Sequence, residues 1–377
     1  MQTRIPCSIM RGGTSKGAYF RADEVPADRA ILERILLAAM GSPDERQIDG
    51  IGGANPLTSK VAIVGPATRP DADIDYLFVQ VVVNAPRADY NQNCGNILAG
   101  VAPFAIERGL VKAQNGETRV RIHMVNSASI AVATVQTPGR RVAYEGEARI
   151  DGVPGTHAPV LIDFLDVAGS TCGALLPSGN AVDVIDGVPC TLIDNGMPVV
   201  VMRAEAFGRT GYETKKALDA DAELKARIEA IRLKAGKLMT LGDVTRKNVP
   251  KMSLIAPPRA GGALCTRTFI PHDCHSSIGV LGAVTVATAC VLPGGVADGV
   301  AVVPAGDSKV LPIEHPTGEF TVRIETDGDA KRPKITRSAL LRTTRLLFDG
   351  HVHVPARAWD GVEGMPKPRR SSVQAAA

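Results

Sequence analysis

Residues 91–109 read NQNCGNILAGVAPFAIERG. The first six are small and polar. Ile97–Arg108 then carries no charge before Glu107 and stops at Gly109, the residue type that ends helices in the left-handed conformation. A helix apolar on nearly every side is buried, so this stretch predicts the central helix of a domain. A second such stretch begins about half a chain later. His275-Ser276-Ser277-Ile278-Gly279 introduces Val280–Val291, which has no charged residue, and Pro293-Gly294-Gly295 ends it. Short β-branched runs surround both: 61–64, 76–83, 119–125, 128–136 and 141–150 around the first, and 188–193, 198–204, 251–255, 266–270, 299–303 and 319–325 around the second. Ile5–Met10 and Ala18–Phe20 read as strands flanking a glycine-rich loop. Helices are predicted over 27–40 and, strongly charged, over 214–238. The fold class is therefore α+β, two copies of one architecture in which a central apolar helix is wrapped by mixed β-sheet. The expected division is 1–185 and 186–340, with 341–364 returning to the first domain and 365–377, rich in Pro, Arg, Ser and Ala, a disordered tail.

A chain of 377 residues exceeds one ordinary core. Hydrophobic residues make up 45% and aromatics only 4%, so Val, Ile, Leu and Ala must fill the interior. The net charge of +4 is small and its residues are interspersed, which argues against nucleic acid as a partner and suits an anionic small molecule. The seven cysteines form no Cys-x-x-Cys pair. The N-terminal residues lack a signal peptide's apolar core, and no apolar run reaches the roughly 18 residues of a membrane span. Free thiols in a reducing cytoplasm, away from membranes, are the expectation.

A helix N-terminus exposes unpaired N–H groups and the positive end of a dipole, and so receives carboxylates. Cys94 lies three residues before Ile97, where that dipole favours thiolate; the alternative is a small buried thiol. Lys60 stands between a polar loop and an apolar strand, where desolvation would free a neutral amine base. Its context alone favours a surface lysine. Arg11, Thr14, Ser15 and Lys16 lie among three glycines and could hold a carboxylate or simply form a charged hairpin turn. Cys265, His272, Cys274 and His275 match no common zinc spacing, no GxGxxG follows a strand, and no GxSxG occurs. No metal or cofactor is expected. Aligned on the two apolar helices, Cys94-Gly95-Asn96 falls opposite Ser277-Ile278-Gly279.

MRGGTSKGAYF (10–20), IDGIGGANPLTSKVAIV (48–64) and QNCGNILAGVAPFAIERGLV (92–111) together resemble the methylaconitate isomerase family, in its oxalomesaconate tautomerase and isomerase branch. PHDCHSSIGVLGAVTVATACVLPG (271–294) and SALLRTTRLLFDGHVHVP (338–355) extend the resemblance over most of the chain. It implies a diaminopimelate-epimerase-like fold of two pseudo-symmetric domains. It also implies catalytic roles for Lys60 and Cys94. Substrate-binding roles are implied for Arg11, Thr14, Ser15, Lys16, Ser59, Asn93, Gly95 and Asn96 in the first domain, and for Asn195, His275, Ser276, Ser277 and Gly279 in the second. Two-base epimerases of that fold carry a second cysteine where this chain has Ser277, which disfavours racemisation. The implied reaction is a proton shift in 4-oxalomesaconate during gallate or protocatechuate breakdown, either keto–enol or allylic. A 2-methylaconitate or aconitate isomerase and a non-catalytic tricarboxylate-binding homologue are the alternatives. The expected partner is a small tricarboxylate, and a homodimer is left open.

Overall fold

The computed structural model describes residues 1–90, 93–164, 168–328 and 334–365, so the tail expected at 365–377 lies, past its first residue, outside them. Contacts divide the chain into two compact units: Met1–Ala148 with His157–Val160 and Arg342–Ala377, and Arg149–Thr156 with Leu161–Leu341. The boundary thus falls before the expected 185. The reason is local: Gly169 N–H donates to the Asp194 carbonyl, the Asp194 carboxylate accepts from the N–H groups of Thr171 and Cys172, and Cys172 packs in the second unit's core.

In the first unit, β1 (Gln2–Gly12) and β2 (Ser15–Arg21) form an antiparallel hairpin. α1 (Arg29–Met40) follows, capped by the Asp28 carboxylate on Ala30 and Ile31 and closed by Gly41 at φ 78°. β3 (Lys60–Pro66) runs parallel to β2, and β4 (Ile74–Val81) antiparallel to β3. The short β5 (Ala88–Asp89) precedes α2 (Gly95–Glu107), and then β6 (Gly116–Met124), parallel to β4, and β7 (Ser129–Thr137) complete the series. The free edge of β1 is taken by the end of the chain's last strand, with Gln2 opposite Pro355. The sheet buries both faces. On one, Leu32, Ile35, Leu36 and Ala39 of α1 pack with Phe20, Val61, Ile63, Val79, Val354 and Trp359. On the other, α2 touches β1, β2, β3, β4 and β7, and every residue from Ile97 to Ala105 is buried.

The second unit takes in β9 (Asp183–Ile185), β10 (Val188–Asp194), β11 (Pro198–Arg203), β12 (Lys251–Ala256), β13 (Leu264–Phe269), β14 (Ser308–His315) and β15 (Gly318–Asp327), adjacent in that order. β8 (Pro159–Phe164) precedes them, and the first part of β16 (Lys334–Pro355) pairs with β15. The single helix expected over 214–238 is two, α3 (Lys215–Ala220) and α4 (Ala222–Leu238), because the Asp221 carboxylate leaves the helix and caps Leu224 N–H. Leu224, Ile228, Ile231 and Ala235 of α4 pack on Leu192, Met202 and Leu254. The second charge-free helix, α5 (Val280–Cys290), is buried from Gly282 to Cys290 against β10, β11, β14 and β15. Residues 141–150 and 299–303, expected as strands, are none; the first contributes one isolated bridge, Ala148 to His157. β-branched composition without a ladder partner does not make a strand. Among the described residues no helix is long and apolar enough to cross a membrane.

Candidate active site

The start of α2 gathers the first unit's chemistry. Cys94 is the N-cap residue, extended at φ −129° and ψ 104°, and its side chain makes no capping bond. Its carbonyl accepts the helix's first bond from Leu98 N–H at 2.9 Å, which leaves the thiol free to turn elsewhere. Lys60 opens β3 between Gly17 of β2 and Gln80 of β4. Its Nζ donates to Cys94 Sγ at 3.4 Å and lies 5.6 Å from the centre of the Phe78 ring. Tyr76 is fully buried and donates to the Cys94 carbonyl at 3.4 Å. Burial, reinforced by charge on Cys94, holds its phenol well above the ordinary range, so it stays a donor.

Glycine brings the hairpin this close. A Cβ on Gly12 would lie 2.3 Å from the Asn96 carbonyl, and one on Gly17 2.3 Å from the Lys60 carbonyl. Gly13 turns at φ 51°, and a Cβ there would meet Asn96 Oδ1 at 2.1 Å. Ser15 pairs with Gly12 and therefore shares its face. The Ser15 hydroxyl is buried without a partner among the described residues, and so is Asn96 Oδ1; Asn96 Nδ2 donates to Thr14 Oγ1 at 3.1 Å. Buried polar atoms left unpaired are rare in folded proteins, and here they surround a helix N-terminus. Lys60, Cys94, Gly95, Asn96, Thr14 and Ser15 are thus brought together.

Several expected ligands are turned away. Arg11 and Lys16 are cross-strand partners one residue out of step with Gly12 and Ser15, so they occupy the sheet face opposite α2. Arg11 Nη1 donates to the carbonyls of Gly13 and Thr343 and to Thr343 Oγ1, each at 3.0 Å, while Nη2 is buried without a partner among the described residues, and burial followed by nearby Arg345 lowers its pKa. Ser59 is wholly buried and donates to Gln47 Oε1 at 2.7 Å and the Asn55 carbonyl at 2.9 Å, which fastens the loop that ends at Lys60. Asn93 is exposed and donates to Ser127 Oγ at 2.6 Å.

In the second unit, Asn195 is buried and spends its amide on Thr288 Oγ1 at 2.7 Å and Ser338 Oγ at 3.0 Å, a tie between the end of β10 and α5. Gly279 is the N-cap of α5. Ser276 is exposed, its carbonyl accepting from Thr317 Oγ1 at 2.9 Å. His275 Nδ1 accepts from Ser277 N–H at 2.9 Å, and burial, then Lys251 and Lys215, lower its pKa. Ser277 Oγ lies 3.0 Å from His315 Nε2, and burial pushes that histidine down to about 4. Sequence reasoning missed His315, a lone histidine with no motif around it. It also missed Tyr76 and Phe78, although their alternation with Gln80, the register partner of Lys60, held the signal. Among the described residues no His, Cys, Asp and Glu side chains gather as a metal site.

A lysine amine and a thiol side by side at the start of a buried helix, on a mixed α+β scaffold, are equipment for moving a proton at carbon, and the class they define is an isomerase. Residues 2–355 match the PrpF protein family, and the chain belongs to it. The (4E)-oxalomesaconate Delta-isomerase of Novosphingobium sp. (strain KA1) is 64% identical over 349 residues, 93% of this chain and 97% of that one. The 4-oxalomesaconate tautomerase of Pseudomonas putida (strain KT2440) is 59% identical over 362 residues, 96% and 99% of the two chains. The crystal structure of a methylitaconate-delta-isomerase superposes with a TM-score of 0.83 at 36% identity, covering 95% of this chain and 97% of its own.

Proposed function

We propose that the protein shifts a proton within 4-oxalomesaconate, with Lys60 removing it and Cys94 returning or steering it. The observation that carries this reading is the 3.4 Å contact between the two side chains at the start of α2. Two relatives of 64% and 59% identity, both named for oxalomesaconate, support the substrate.

The chemistry asks little of the protein. The substrate CH₂ lies between a ketone-bearing carbon and a C=C bond, so its proton is acidic and its loss gives a delocalised dienolate. The Lys60 amine takes the proton and becomes an ammonium beside the charge it has created. Protonation on oxygen gives the enol, and protonation two carbons away gives the allylic isomer, which needs a second positioned carrier such as Cys94. The first N–H groups of α2 and the unpaired Ser15 hydroxyl offer donors to a substrate carboxylate and to the dienolate. The ketone and the alkene spread the charge, so neither metal nor organic cofactor is required. The setting we infer is aromatic acid breakdown through gallate or protocatechuate. We also read the two units as pseudo-symmetric copies of one epimerase-like architecture, each with a charge-free helix buried against mixed sheet.

Proton NMR of 4-oxalomesaconate with the enzyme in deuterium oxide tests the proposal. Deuterium should enter at the CH₂, and the final position of the double bond tells tautomer from allylic isomer. Turnover of 2-methylaconitate with an inert oxalomesaconate would replace the substrate. Binding without any exchange would make the protein a non-catalytic homologue.

A further inference from the structure

The same two side chains carry chemistry that the proton shift does not use. All seven cysteines are free, and six of them are buried. Burial pushes the thiols of Cys7, Cys172, Cys190 and Cys290 up to about 12 and that of Cys274 to about 11, and it raises Cys265. Such thiols are poor nucleophiles and are closed to oxidants. Cys94 has a different setting: it is partly exposed, it sits at a helix N-terminus, and the Lys60 amino group lies 3.4 Å from its sulfur. Oxidation should therefore select Cys94. The usual resolution of an oxidised cysteine is a disulfide with a second thiol. The neighbour of this sulfur is an amine, 3.4 Å away on a long flexible arm.

We propose that Cys94 and Lys60 form a reversible oxidative lock, in which a hydroperoxide oxidises the thiol and the lysine amine captures the product as a sulfenamide. In the first step the sulfur attacks the peroxide, the O–O bond breaks, one oxygen stays on sulfur as sulfenic acid, and the other departs as water or an alcohol. Sulfur is oxidised by two electrons and the peroxide is reduced by two. In the second step the free amine attacks sulfur, the S–N bond forms, the S–O bond breaks, and the hydroxyl leaves with an amine proton as water. A thiol reverses the lock. It attacks sulfur, the S–N bond breaks, and the nitrogen takes the thiol proton. A second thiol then frees Cys94 and departs as a disulfide. The lock ties up both proton carriers at once, so the enzyme is silent while locked. It also shields the sulfur from the sulfinic acid stage, which is irreversible without a dedicated repair enzyme. The proposal rests on the geometry of the pair and not on the identity of the substrate.

Intact-mass spectrometry of the full-length enzyme after hydrogen peroxide tests it, with mass as the primary readout and deuterium exchange as the second. The expected product is lighter than the reduced protein by the mass of two hydrogen atoms. Its digest should contain the peptides of Lys60 and Cys94 joined, and dithiothreitol should restore both mass and deuterium exchange. Lys60→Met, shown to be folded by its melting curve, should never give the lighter species and should instead gain two oxygens at Cys94. Cys94→Ser should keep its mass under the same dose. Wild-type protein that gains oxygen without passing through the lighter species overturns the proposal, as does a lighter species that persists in Lys60→Met. A wild-type protein that locks but does not turn over oxalomesaconate would sink the proposed substrate and leave the lock standing.

Discussion

The two charge-free helices, α2 and α5, are alike along their length and unlike at their starts. α2 begins at Cys94, beside the Lys60 amine and two buried polar atoms without partners among the described residues. α5 begins at Gly279, and ahead of it the Ser277 hydroxyl is bonded to a histidine that burial keeps neutral. Burial of the helix is a property of the fold. What stands at its first turn is a property of the chemistry: a thiol and a lysine amine in contact at α2, a serine bonded to a histidine at α5.

Substitutions should widen that contrast. Lys60→Met should reduce deuterium entry at the substrate CH₂ by about 10²–10⁴-fold, the usual loss on removing a general base. Cys94→Ser should retain measurable exchange and slow double-bond migration; exchange that stops in Cys94→Ser and survives in Lys60→Met reverses the two roles.

Asn126 tests whether the start of α2 must be held. Its side chain accepts from Phe78 N–H at 2.8 Å and donates to the carbonyls of Phe78 at 2.9 Å and Tyr90 at 2.8 Å. It thereby links the ring beneath Lys60 to the segment that leads to Cys94. Asn126→Ala leaves these groups unpaired, and urea unfolding should show a loss of about 1–3 kcal/mol. Turnover should fall more in kcat than in KM.

At α5 the expected effects are smaller. Ser277→Ala and His315→Gln should each leave CH₂ exchange within about tenfold of wild type, less than the base-loss range. A loss equal to that of Lys60→Met would break the comparison. The histidine should instead show in stability. Its pKa lies near 4 in the folded protein against 6.5 in a free chain. Between those values the unfolded chain holds the proton and the folded protein does not, so stability falls as pH drops from 6.5 towards 4. His275 is shifted the same way and shares the slope. Melting temperature against pH should show a shallower acid limb in His315→Gln.

Much of this was legible in the sequence, and the exceptions have physical causes. Both central helices declared themselves by lacking charge where a surface helix would carry it. Cys94 was legible because it precedes one of them. Lys60 was not, since a lysine at a strand start looks the same whether it faces solvent or a thiol; the resemblance singled it out. Arg11 and Lys16 stand away from α2 because the turn between β1 and β2 is shorter than the glycine-rich stretch suggests. β1 runs to Gly12 and β2 starts at Ser15, so only Gly13 and Thr14 turn, and strand alternation puts Arg11 on the face of Ile5 and Cys7. Ser59 and Asn195 misled because a sequence shows that a side chain can hydrogen-bond, but not whether a neighbour already has it. The length of β16 was hidden by arginines, which a strand with one solvated face carries freely.

The pairing of β1 with the end of β16 has a consequence for how the protein is made. Thr3 donates to the carbonyl of Trp359, 356 positions further along the chain. On the ribosome, β1 emerges long before its outer neighbour. At about 5–20 residues per second, that interval is on the order of tens of seconds. Through it the nascent first unit presents an open strand edge, with Val352, Val354 and Trp359 still missing from the core around α1. The window for mispairing with another nascent chain is therefore set by the speed of translation, and slowing translation between codons 149 and 341 should lower soluble yield while leaving the finished enzyme unchanged.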